Sequence, residues 1–462
     1  MIGQPRAAER RLGTSLHPDL NGDYLELVDG HGVYVLDADG REYLDAVAGV
    51  GVLSLGYDRP DLAEAYVAQA SRIPYSHSMR FRNEPQEQLA EKLALITPPG
   101  INSFFFCSGG SEALDSALKL VRTYWLDKAE PGRTKVIGRR PSFHGNTLAA
   151  LSIGYHEARR QPYEPYILDM PHLPAPWVYR CEAHGPDGPF CDVCSGQALE
   201  TLIEAEGPET VAAFVAEPII GAAAPAVTPP PGYYERVRSI CDKYSVLFVA
   251  DEVMTGFGRT GRMFGIEHWD AVPDILLMAK ALGAGYVPIG AVGAHDRVID
   301  VVRGASGRFE HNFTMAGNPI ACAVACAVLD AYETERILDN VRSVGASLES
   351  YLQSLRSHQV VGDVRGRGLM FGVELTRPGS REPLPIEQHA AHALDLLARD
   401  EGLLVYPCAG IVDGNRGDAI LLLPSLNLSE TDAAEIFMRL DRALEALEKS
   451  LPVASLRAVS GG

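Results

Sequence analysis

A chain of 462 residues is too long for one simple hydrophobic core and suits roughly two to three domain-sized units. Its formal net charge of −19 repels nucleic-acid phosphates and anionic lipid, which excludes a polyanion as the expected partner. The composition is that of an ordinary globular protein, no apolar run reaches bilayer-spanning length, and the polar stretch from Met1 to Leu20 lacks a signal core, so a cytoplasmic enzyme is the default expectation.

In chain order, 32–36 reads as a strand that turns at Asp37-Ala-Asp-Gly40. Helix signals begin at Asp61, and 84–96 has the pattern of an amphipathic helix stopped by Pro98-Pro99-Gly100. Strand-like apolar runs follow at 104–107, 135–137, 212–216, 246–250, 275–278 and 289–292, with helical patterns at 111–125, 197–205 and 233–244 among them. Strands alternating with helices predict a mostly parallel sheet covered on both faces. One long helical pattern runs from 319 into the 350s, 360–447 mixes strands and helices as a smaller α/β lobe, and 452–462 reads as a frayed tail.

Two of the apolar runs deliver charge. Val246-Leu-Phe-Val-Ala-Asp-Glu-Val253 ends in two acids, and Pro273-Asp-Ile-Leu-Leu-Met-Ala-Lys280 ends in a lysine. The C-terminal ends of parallel strands are where α/β sheets place ligands, and a lysine at the end of a buried strand is costly unless it is used. Taken singly, the acids could be solvated and Lys280 could snorkel to the surface.

Taken together, Asp251-Glu-Val-Met-Thr-Gly-Phe-Gly-Arg-Thr-Gly261, Pro273-Asp274 to Lys280, and Gly285-Tyr-Val-Pro-Ile-Gly290 resemble the signature of the class III aminotransferases. These are fold-type-I pyridoxal-phosphate enzymes, and the motifs are most similar to the ω-amino acid/amine:pyruvate group. The similarity runs from about Gly32 to Asn427. It implies an α/β fold-type-I transferase: an N-terminal segment (1–75) joining the small domain, a large cofactor-binding domain (76–335) with a mostly parallel sheet, and a C-terminal small α/β domain (336–462). It also implies pyridoxal 5'-phosphate as cofactor.

The chemistry accounts for the residue types. The cofactor's aldehyde needs a primary amine, the role of Lys280. Its pyridine nitrogen must stay protonated to act as an electron sink, and a buried carboxylate, Asp251, favours that form. Val253 lies two residues on and points to the same side of its strand. The resemblance sets Val253 against one face of the ring and Phe143 of Phe143-His-Gly145 against the other, with His144 orienting nearby groups; the family usually has Tyr where Phe143 stands. Ser108-Gly-Gly-Ser-Glu-Ala113 offers glycines and a helix start suited to a phosphate, and is similar to the family's phosphate cup at Gly110 and Ser111. Glu217-Pro218 resembles the family's element with a glutamate near the cofactor. His311-Asn-Phe-Thr-Met-Ala-Gly-Asn-Pro319 resembles the segment whose threonine, here Thr314, binds the phosphate of the neighbouring subunit, which implies a homodimer with shared active sites.

Substrate signals are thinner. Ile219-Ile-Gly-Ala-Ala-Ala224 lacks the second glutamate that ornithine- and 4-aminobutyrate-type members pair with an arginine, which argues against those donors. Arg416 is the local candidate for binding a substrate carboxylate. Gly51 stands where several relatives carry a large side chain, often Trp, and is expected to open the pocket to a bulky donor. The expected reaction moves an amino group from an amine or ω-amino acid to an oxoacid, pyruvate foremost, through a ping-pong cycle between the pyridoxal and pyridoxamine forms of the cofactor. An aminomutase or decarboxylating transaminase is the nearest rival. A nicotinamide-linked dehydrogenase using Gly256-Phe-Gly-Arg-Thr-Gly261 is disfavoured, because that loop does not join a strand directly to a helix. Cys181, His184, Cys191 and Cys194 have metal-knuckle spacing within a Pro/Gly-rich insertion, but free thiols are expected there and no metal.

Overall fold

The computed structural model describes residues 15–22, 24–181, 183 and 190–452. The predicted tail beyond 452 and the first part of the N-terminal segment lie outside the described residues. Strands β1 (Leu27–His31), β2 (Tyr34–Asp37) and β3 (Glu42–Asp45) form an antiparallel meander. The Asp37 carboxylate accepts from the amides of Asp39 (3.0 Å) and Arg41 (2.9 Å), which fixes the turn expected at 37–40.

The central sheet contains β4 (Ile101–Cys107), β5 (Lys135–Arg140), β6 (His172–Pro174), β7 (Val211–Ala216), β8 (Leu247–Asp251), β9 (Ile275–Met278) and β10 (Gly290–His295). Their order is β4-β10-β9-β8-β7-β5-β6. Pairings among β5 to β9 are parallel, and β10 runs antiparallel to both β9 and β4. Strands β7, β8 and β9 are buried along their whole length, as expected of a sheet covered on two faces. Alternation divides their side chains between two cores. Leu247 and Val249 pack with Leu114, Ala117 and Val121 of the helix Gly110–Asp127, whereas Phe248 and Ala250 pack with Tyr234 and Val237 of the helix Tyr233–Tyr244.

A third sheet contains β11 (Val361–Arg367), β12 (Met370–Leu375), β14 (Tyr406–Ala409) and β15 (Asp418–Leu422), in the order β11-β12-β15-β14. The two-residue strand β13 (Leu403–Leu404) leaves this region and pairs in parallel with β3.

Two elements differ from the sequence reading. The long helix expected from 319 is two helices, Pro319–Thr334 and Ile337–Ser354, with Arg336 in the left-handed region at φ 53°. Both halves bury apolar residues at helical spacing, so the periodicity runs through the break. Strand β6 is only three residues long and lies in a run punctuated by Pro171 and Pro174, which hides it from propensity. No described helix is long and apolar enough to cross a membrane.

Candidate active site

The ends of β8 and β9, the loop after β4 and the segment 143–146 enclose a cleft of about 320 Å³. It is lined by nine of the predicted site residues, Ser108, Gly110, Ser111, Phe143, His144, Glu217, Asp251, Val253 and Lys280, together with Gly109, Gly145, Asn146, Met254 and others.

Asp251 ends β8 on the side of the helix Gly110–Asp127, continuing the Leu247 and Val249 alternation. One carboxylate oxygen takes the Val253 amide at 3.0 Å, and the other lies 2.6 Å from His144 Nδ1. Both side chains are almost wholly buried. His144 Nε2 is buried with no hydrogen-bond partner among the described residues. Glu217, at the end of β7, accepts from the amides of Phe143 (3.0 Å) and Gly221 (2.8 Å). Burial pushes its carboxyl upward; His144 opposes the shift and Asp251 adds to it.

Lys280 follows β9 at a turn with φ +46°, a left-handed conformation that costs a non-glycine residue about 1–3 kcal/mol. Its amine finds no hydrogen-bond partner among the described residues. Burial pulls its pKa down to about 8, against the opposing pull of Asp251 and Glu217 and with help from the cations Arg259 and Arg159.

No side chain caps the helix Gly110–Asp127 at Gly109, so the first-turn amides are left available at the cleft. A Cβ on Gly110 would press on Val253 Cγ1 at 3.0 Å, and one on Gly145 (φ +130°) would collide with Ser111 Oγ at 2.3 Å. Gly145 is therefore fixed by both its backbone and its neighbour, and any side chain at Gly110 would push Val253 aside. Ser111 Oγ accepts from the Asn146 amide at 3.1 Å. An amine without a partner, a buried acid, an orphaned imidazole nitrogen and an open helix start are a donor set that fits an aromatic aldehyde carrying a phosphate.

Three predicted residues lie elsewhere. Thr314 is exposed on a loop and does not line the cleft of its own chain; its carbonyl accepts from Tyr75 Oη at 3.0 Å. Arg416 is on the surface, its Nε donating to Asp413 Oδ2 at 2.7 Å, and it is not on the cleft wall. Gly51 is buried beside Val52, which lines the cleft; its backbone is left-handed at φ +74°, a conformation that by itself favours glycine, and a Cβ there would meet Leu423 and Arg259 at ordinary contact distance. The Gly256–Gly261 loop is buried and leads to no adjoining helix; Arg259 within it donates to the Leu369 carbonyl at 3.0 Å. His184 lies outside the described residues, whereas Cys181, Cys191 and Cys194 converge.

Sequence reasoning missed Arg159. Its guanidinium lies 4.7 Å from the centroid of the Phe143 ring, and Nη2 donates to Tyr406 Oη at 3.0 Å. It sits in an unremarkable run, Glu157-Ala-Arg-Arg160, and only the fold brings it near Lys280.

The chain belongs to the class III aminotransferase family, whose model matches residues 21–444. It is 36% identical over 445 residues to the mitochondrial gamma-aminobutyrate transaminase 1 of Oryza sativa subsp. indica, covering 94% of this chain and 83% of that protein. The thermostable (S)-enantioselective omega-transaminase of Thermomicrobium roseum matches with a TM-score of 0.86 and 36% identity, over 92% of this chain and 93% of that one. The omega transaminase of Pseudomonas jessenii in complex with PMP matches with a TM-score of 0.85 and 30% identity, over 94% and 96%. The fold is that of the fold-type-I pyridoxal-phosphate transaminases, and the enzyme is an aminotransferase.

Proposed function

We propose that the enzyme moves an amino group from an amine or ω-amino acid to an oxoacid, pyruvate foremost, in two half-reactions at this cleft. The observation that carries the reading is the facing of a partnerless Lys280 amine, with its pKa near 8, and the buried Asp251–His144 pair across one cavity. When bound, pyridoxal phosphate supplies the aldehyde for the amino group and an electron sink for the carbon that loses a proton.

The protein's own residues do the rest. The Lys280 amine is poised to accept a proton from the donor carbon and to return it, because its depressed pKa brings it into range for proton transfer near neutral pH. Asp251, held by His144 and the Val253 amide, presents a fixed negative charge to the pyridine nitrogen. The amides of Gly110 and Ser111 with the Ser111 hydroxyl receive the phosphate, joined by Ser108, while Val253 and Phe143 flank the ring and Glu217 stays near it. The oxoacid's carboxylate is assigned to Arg159, which lies over Phe143 within electrostatic reach of Lys280, rather than to the surface residue Arg416. The segment Ile219 to Ala224 is buried and carries no acid, which favours amine donors over 4-aminobutyrate.

Borohydride reduction of the cofactor-loaded enzyme followed by peptide mapping should place the label on Lys280. Label on another lysine overturns the assignment. A donor–acceptor screen that includes 4-aminobutyrate fixes the substrates, and Arg159→Ala should raise KM for oxoacids more than for amines without a carboxylate.

The assembly belonging to this reading is a homodimer in which Thr314 serves the partner's phosphate. Mixing Lys280→Ala with Thr314→Ala subunits leaves one site of the mixed dimer with both defects and the other with neither. About half of the wild-type activity per mixed dimer should return. No recovery after verified subunit exchange refutes the shared site.

A further inference from the structure

We infer that Cys181, Cys191 and Cys194 bind a soft divalent cation, zinc by their chemistry, as a structural clip separate from the catalytic cleft. The three sulfur atoms all lie within 4.8 Å of one another, and Cys181 Sγ and Cys191 Sγ are 3.5 Å apart. Zinc–sulfur bonds of about 2.3 Å in a tetrahedron set sulfurs ~3.8 Å apart, so small adjustments bring the three to ligating distance. A disulfide needs ~2.05 Å between two sulfurs and leaves the third unused. None of the three residues lines the catalytic cleft.

The local backbone suits metal binding. Cys191 and Cys194 bracket the start of a single helical turn, Asp192–Ser195, which brings positions three apart onto one side. Gly196 ends the turn in the left-handed region at φ +86°. Cys194 is buried and Cys181 and Cys191 are half-buried, so the trio is shielded yet reachable by an ion. A divalent cation compensates the charge of thiolates held this close together. The trio leaves one tetrahedral position for a further ligand.

The placement says what the clip does. Cys181 follows the turn Val178–Arg180, whose Arg180 donates to the fully buried Glu374 on β12 at 2.6 Å. The Cys181 carbonyl also accepts from Arg381 at 3.4 Å. Helix Asp192–Ser195, on the other side, packs against the helix Tyr233–Tyr244 that covers β8. A cation held by Cys181 and the Cys191–Cys194 pair would therefore tie the C-terminal sheet to the layer that supports the central sheet.

The test uses the full-length enzyme, purified reduced and dialysed without chelator. Elemental analysis should find about one zinc per chain, a single closed site of this kind holding one ion. Titrating the thiols with a mercurial should release it, and Cys181→Ser and Cys191→Ser should each lose it. Cobalt(II) added to metal-free enzyme should give visible thiolate–cobalt absorption in wild type and not in either variant. Both substituted residues are half-buried, and a circular dichroism spectrum matching wild type shows that loss of metal is not loss of fold. Metal removal should lower the melting temperature while the cofactor's absorbance stays unchanged. Metal that persists in both variants, three reactive thiols that take up neither zinc nor cobalt, or a Cys181–Cys191 disulfide in the reduced preparation would each overturn the proposal.

Discussion

Strand β8 ends at Asp251 and is followed at once by Glu252, and the two carboxylates face opposite sides of the sheet. On the cleft side, Asp251 is paired with His144, whose second nitrogen has no partner, and it looks across to an amine with none. On the core side, Glu252 is fully buried and its oxygens are engaged: one takes the Ile266 amide at 2.7 Å, the other the Gly265 amide at 2.8 Å and the Thr255 hydroxyl. Both acids are deep in the protein, so depth does not separate them. What separates them is completeness. The Glu252 set is closed and holds a loop in place, whereas the Asp251 set is left open toward a cavity large enough for a ligand. An unfinished hydrogen-bond set beside a cavity marks the chemistry.

Substitutions on the two sides should divide cleanly between rate and stability. Lys280→Ala should cut kcat by roughly 10³-fold or more, since the loss of a general base alone costs roughly 10²–10⁴-fold. Its melting temperature should not fall, because the variant removes a costly buried amine. A soluble variant with near-normal turnover would remove Lys280 from the mechanism. Asp251→Asn should lower kcat by roughly 10²-fold, the typical worth of one preorganised electrostatic group, with an unchanged circular dichroism spectrum. Normal turnover there would erase the distinction between the two acids.

Glu252→Gln should do the reverse: a loss of about 1–3 kcal/mol in urea unfolding, from amide donors left unmatched, with kcat preserved at low temperature. Glu252 also sharpens the comparison through pH. Burial raises its carboxyl from 4.5 to about 7, against the three hydrogen bonds that oppose the shift. The folded state therefore binds its proton more tightly than the unfolded chain. The stabilisation is complete below the ordinary carboxylate range and is lost as pH rises through about 7. Melting curves between those limits should show that decline in wild type and a flatter profile in Glu252→Gln; identical profiles would mean that Glu252 stays ionised throughout. The smallest effect belongs to Gly51. Gly51→Ala should cost about 1–2 kcal/mol from its left-handed backbone and lower activity on small and bulky amines in the same proportion. A selective loss on bulky amines would return Gly51 to the substrate wall.

That Lys280 and Asp251 meet at one cleft was legible in the sequence from the combination of two apolar runs ending in charge with the Gly-rich stretches around them; either run alone allowed a solvated charge. The open helix start at the cleft was legible because Ser108, Gly109 and Gly110 link β4 directly to the start of an amphipathic helix. Arg159 was not, since its neighbours are charged and its meeting with Phe143 depends on a turn that no periodicity records. The opposite duties of Asp251 and Glu252 were half legible: strand alternation separates their directions, but the partners of Glu252 arrive from 255, 265 and 266 through an irregular loop. Arg416 and Gly51 were read by position along the chain, and the structure shows local contacts and backbone conformation there that the sequence does not. Arg416 is turned onto Asp413 within its own loop, and Gly51 has a left-handed backbone. The convergence of Cys181 with Cys191 and Cys194 needed the fold to close the insertion between them.

The pairing of β3 with β13 has a consequence for how the chain is made. Leu44 lies opposite Leu403, and the Leu44 amide donates to the Gly402 carbonyl at 2.9 Å. These residues are ~360 positions apart, so at roughly 5–20 residues per second the growing chain on the ribosome presents β3 without its neighbour for roughly 20–70 s. Throughout that interval the outer edge of the meander is an open template for another nascent strand. A two-residue segment made ~360 residues later thus acts as the seal on β3, and a ribosome that stalls before 403 leaves that edge exposed.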